Sequence, residues 1–79
     1  MSKPKRPQMP LSVAKTGTKL HLERLTGETK LQTHLTALGF VPGTVMEVVS
    51  SGTSGPRIVA IRTGRLMLAP EIAKHIWVR

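Results

Sequence analysis

The chain contains no cysteine, no tyrosine and no aspartate. Without thiols there is neither a disulfide framework nor a thiolate metal site, and a reducing compartment fits that composition. Its acidic residues are Glu23, Glu28, Glu47 and Glu71, dispersed along the chain. Its aromatic residues are Phe40 and Trp77 alone. No uncharged apolar run approaches the ~20 residues that a membrane-spanning helix needs. The basic start Met1 to Arg6 is followed by no apolar stretch, so the expectation is a cytoplasmic protein with no secretion signal here.

What remains in 79 residues is one small domain with a modest core. Catalysis needs convergent titratable groups, and the serines and threonines follow no nucleophile motif. No glycine-rich loop opens a helix in the phosphate-binding pattern. The sequence therefore reads as a non-enzyme. His21, His34 and His75, with Met9, Met46 and Met67, are the residues from which a soft metal site could be built. None of the histidines has a second ligand at i+3 or i+4, and Met46 and Met67 fall in strand patterns, where methionine usually fills a core. No metal ligand and no cofactor are expected. His34 stands apart because it borders an apolar stripe.

Twelve Lys and Arg against four acids give a formal charge of +8, which permits attraction to nucleic acid or anionic lipid. Lys3, Lys5 and Arg6 lie in the first six residues, and the other positives are scattered singly. A nucleic-acid surface more often shows clustered charge interleaved with aromatics for stacking. A basic, solvated domain is the better reading, with nucleic-acid binding as an alternative that a salt titration tests.

In chain order, residues 1–10 carry Pro4, Pro7 and Pro10 among polar residues and read as a disordered arm. Residues 11–79 read as the globular domain. Leu11 and Val13 are expected to tuck against it. Lys19 to Leu25 alternates Leu20 and Leu22 inward with His21 and Glu23 outward, the period of a half-buried strand. Thr26 is the candidate cap for a helix over residues 28–38, whose stripe Leu31, Leu35, Leu38 recurs at i, i+4, i+7. Gly39 suits the helix end, and Pro42-Gly43 suits the centre of a type II turn. Strands follow over Thr44 to Val49, Pro56 to Arg62, Arg65 to Leu68 and Ile76 to Val78. A loop over Ser50 to Gly55 and one helical turn begun by Pro70 separate them. About five short strands, with one helix between the first two, make a mainly β chain that suggests a small closed barrel.

The helix-to-strand corner Leu38-Gly39-Phe40-Val41-Pro42-Gly43-Thr44, with the strand after it, resembles that of the ferrous-iron transport protein A (FeoA) family. The resemblance continues through Ser54-Gly55-Pro56, Ile58 to Ile61, Gly64 and Ala73 to Val78, and covers roughly residues 10–79. The small polar loop Ser50 to Ser54 departs from it, since many members carry an apolar residue or proline there. The resemblance implies an SH3-like barrel. It also implies a small cytosolic accessory of the membrane ferrous-iron transporter FeoB, supporting or regulating iron(II) uptake without catalysis. A regulatory module related to the terminal domain of iron-dependent repressors is a further alternative, although the chain has no helix-turn-helix pair. A groove between helix and corner is the expected partner site, with Lys30 and His34 on its helix side and Phe40, Val41 and Pro42 on the other. An aromatic just past a helix either plugs the core or rims an exposed patch, and for Phe40 both readings stand. Leu31, Leu35, Leu38, Gly39 and Gly43 are expected to be structural.

Overall fold

A computed structural model describes residues 7–51 and 55–79. Six strands form one antiparallel sheet: β1 (Met9–Pro10), β2 (Lys19–Leu25), β3 (Val45–Ser51), β4 (Arg57–Ile61), β5 (Gly64–Leu68) and β6 (Ile76–Val78). Their spatial order is β1-β6-β2-β3-β4-β5. Helix α1 spans Thr29–Ala37 and the single turn α2 spans Pro70–Ala73. The chain is mainly β with one short helix of substance, as expected, and the helix lies between the first two long strands.

β2 is the strand that lets one sheet surround a core. Lys19, Leu20 and His21 pair with β3, whereas Leu22, Arg24 and Leu25 pair with β6. Register shifts between Leu22 and Arg24, and between Val48 and Ser50, mark bulges that bend the strands at these places. Alternation then puts Leu20, Leu22, Met46, Val48, Val59, Ile76 and Val78 on the inner face, all buried. Leu68 from β5, Leu35 from α1, Ala73 from α2, Leu11, Ala14 and Phe40 complete the cluster. Closure of the barrel by a ladder is not seen: among the described residues, the sheet ends on β1 at one side and β5 at the other.

Four expectations are corrected. Met9 and Pro10 do not belong to the arm, because they pair with Val78 and Trp77, and Met9 packs against the core. Residues 1–6 of that arm, and Gly52 to Ser54 of the expected loop, lie outside the described residues. Val13 is 62% exposed, whereas Leu11 before it and Ala14 after it are buried. The cap of α1 is Glu28, whose carbonyl accepts the first helical bond from Gln32 N–H at 3.0 Å, and Thr26 sits too early in the chain to cap. Met67 is not core filler but 69% exposed.

Candidate functional site

The corner after α1 is built by its own hydrogen bonds. Gly39 N–H donates to Thr36 O at 3.0 Å and Phe40 N–H to Leu35 O at 3.0 Å, the paired bonds of a Schellman ending, with Gly39 at φ 110°. The same geometry brings Phe40 beside Leu35, and both are buried. Thr44 N–H donates to Val41 O at 3.0 Å across Pro42-Gly43, and Gly43 at φ 89° takes the positive-φ position of the expected type II turn.

Two further sets of bonds hold this turn to the rest of the molecule. Thr44 Oγ1 donates to Gly39 O at 3.1 Å and accepts from Val41 N–H at 3.3 Å, which ties the two ends of the corner together. Gly43 N–H donates to Leu22 O at 2.8 Å, and Leu22 N–H donates to Thr44 O at 2.9 Å, which fixes the corner to β2. The sequence reading missed Thr44 as a staple. Its signal was a hydroxyl residue three positions after Val41, at the exit of a Pro-Gly turn.

Against this frame lies an open concavity of about 720 Å³, lined chiefly by Val41, Pro42, Val45, Ile61, Arg62 and Thr63. Val41 and Val45 are 40% and 44% exposed. Apolar side chains left open on a rigid turn offer area to a partner without a cost in backbone ordering. The lining carries no acidic residue, and Arg62 is its one charge.

A second concavity, of about 580 Å³, lies along the first half of α1 and is lined by Gly27, Glu28, Lys30, Leu31, His34 and His75. His75 is held there by Thr26, whose Oγ1 is 3.1 Å from His75 Nδ1, while Thr26 N–H donates to His75 O at 2.9 Å. The backbone at Gly27 comes so close to this ring that a Cβ would sit 3.1 Å from Nδ1.

The expected groove is therefore divided. Lys30 and His34 line one concavity, Val41 and Pro42 the other, and Phe40 lines neither, being fully buried where it closes the core. Leu35 is buried, with Leu31 and Leu38 half-buried against the same cluster. Although His34 and His75 share a concavity, no group of three or more His or Glu residues placed to hold a metal occurs among the described residues. No helix among them is long and apolar enough to cross a membrane.

The FeoA domain model matches residues 9–79, nearly all of the described structure. The chain belongs to the FeoA family. Among solved structures it is similar to an iron uptake regulatory protein (FeoA), with a TM-score of 0.85 and 26% identity, over 92% of this chain and 97% of that one. It is also similar to a FeoA of Stenotrophomonas maltophilia, solved with zinc and described as a prokaryotic SH3 domain protein. There the TM-score is 0.79 at 26% identity, over 90% of this chain and 89% of that one. The expected SH3-like architecture is thereby established for this FeoA-family chain. A manganese-dependent transcriptional repressor contains the same fold, with a TM-score of 0.83 at 21% identity, over 95% of this chain and 42% of the repressor. Comparison with curated protein sequences gave no match.

Proposed function

We propose that this FeoA-family chain is a non-catalytic cytosolic accessory of ferrous-iron uptake, and that it acts by docking its α1 corner on the cytosolic region of a FeoB-type transporter. Membership of the FeoA family supports the process, and the partner is carried over from the family resemblance as part of this proposal. The observation that carries the site is the apolar concavity at Val41, Pro42 and Val45, because it is exposed and yet pinned to β2 by four backbone groups. A rigid, partly apolar turn binds with little ordering loss, and its Phe40 and Leu35 anchors keep it in place whether or not a partner is present. The contact extends along α1 to Lys30 and His34.

Capture of the detergent-solubilised transporter by immobilised chain tests this reading. Val41→Asp places a carboxylate on the concavity floor and is expected to abolish most of the capture with the melting temperature nearly unchanged, since Val41 is outside the core. His34→Glu is expected to weaken it less. Capture by both variants at the wild-type level would refute the docking site. A salt titration with duplex nucleic acid as competitor separates the alternative: phosphate binding weakens steeply as salt rises, whereas docking on an apolar concavity does not.

A further inference from the structure

β5 ends the sheet, and among the described residues its outer edge pairs with no strand. Only Arg62 and Thr63 separate Ile61 from Gly64, the first paired residues of the β4–β5 hairpin. A pair joined across so short a loop exchanges both of its backbone hydrogen bonds, because the other antiparallel pattern would need a bond between adjacent residues. Alternation then makes Val59–Leu66 and Arg57–Leu68 the other bonded pairs. It follows that the N–H and C=O of Arg65 and Met67 point away from β4, toward the open edge. Among the described residues, no backbone hydrogen bond outside the ladders involves either residue.

The side chains of these same two residues are exposed. Among the described residues Met67 is the most exposed of the large apolar side chains. Next to it in register stands half-buried Ile58, so an apolar pair runs out to the edge at Met67. The other row reads Glu47, Ala60, Arg65 and ends at the edge in a cation, with Glu47 two strands away. Among the described residues Arg65 makes no ion pair.

We propose that this edge accepts an added strand, and that its occupant is an extended acidic peptide segment running antiparallel to β5. Arg65 and Met67 each exchange two backbone bonds with the residue opposite. The residue facing Met67 is apolar and the one facing Arg65 is a carboxylate, so the segment reads apolar–any–acidic from its N-terminus. Charge selects this occupant over a second copy of the chain. A two-fold pairing about Leu66 sets Arg65 against the partner's Met67, leaves the guanidinium without a counter-charge, and brings together two chains of +8 each. This surface shares the β4–β5 hairpin with the corner concavity, but Arg65 and Met67 lie outside that concavity's lining, and the proposal does not depend on the transporter reading.

The test uses the full chain, ¹⁵N-labelled, and the capped synthetic peptide Thr-Val-Thr-Glu-Thr. In the free protein the amide hydrogens of Arg65 and Met67 are expected to exchange quickly and that of Leu66 slowly. Peptide should slow the first two. Met67→Pro removes one edge donor but no bond of the β4 ladder, so it is expected to abolish binding and leave the fold intact. Arg65→Glu should weaken binding by about fivefold, and the peptide with Lys in place of Glu should restore it, which keeps the test decisive even if Met67→Pro unfolds. Three results would overturn the proposal: unchanged exchange at Arg65 and Met67 under excess peptide, no restoration in the charge swap, or a dimer in sedimentation equilibrium that Arg65→Glu or Met67→Pro dissolves.

Discussion

Gly43 shows how one residue carries this corner. Nothing lies within 4 Å of a Cβ built there, so a side chain has space, and the constraint is the backbone angle alone. Gly43→Val is therefore expected to cost roughly 1–3 kcal/mol through strain rather than clash. Gly43→Asn, which tolerates the same turn position, should cost clearly less. Thermal melts of the two variants check this, and equal losses would mean that volume, not conformation, is what the position restricts. Phe40 is the complementary case, a residue whose backbone belongs to the corner and whose side chain belongs to the core. Val41 beside it is exposed, so adjacent residues divide the tasks of anchoring and presenting.

Among the elements, α1 depends most on its neighbours. Its threonines are mediocre helix formers and its cap makes no side-chain bond, so the packing of one leucine face must hold it. Leu35→Ala is expected to cost about 2–5 kcal/mol. A small single core supplies only ~3–5 kcal/mol, so chemical denaturation should find this variant largely unfolded. A fully folded variant would mean that Leu35 is not the anchor its burial indicates. The helix, its leucine stripe and the corner were legible because each is written in local spacing and turn chemistry. The cap was not, since Thr26 is taken up by His75, 49 residues away. β1 was hidden because Pro10 reads as a breaker, yet an edge strand needs bonds on one side only. Met67 was misplaced because Leu66-Met67-Leu68 is apolar throughout, and such a run gives no phase. The groove was read as one because sequence orders α1 and the corner along a line, whereas the fold turns their concavities apart.

At the scale of the whole molecule, the charge of +8 acts at a distance and the concavity acts on contact. Removing residues 1–6 takes away Lys3, Lys5 and Arg6, and is expected to weaken transporter binding only modestly, and mainly at low salt, because exposed charges are screened beyond about 8 Å at physiological ionic strength. Binding isotherms at two salt concentrations check this. The central claim is that the α1 corner is where the partner sits. It is tested most directly by titrating the ¹⁵N-labelled chain with the transporter's purified cytosolic region and mapping which backbone amides shift. The account predicts shifts concentrated at Gly39, Val41, Thr44, Val45, Ile61, Arg62 and Thr63, with Lys30 and His34 next. Shifts confined to β5 or to β1 and β6, with the corner unmoved, would contradict it.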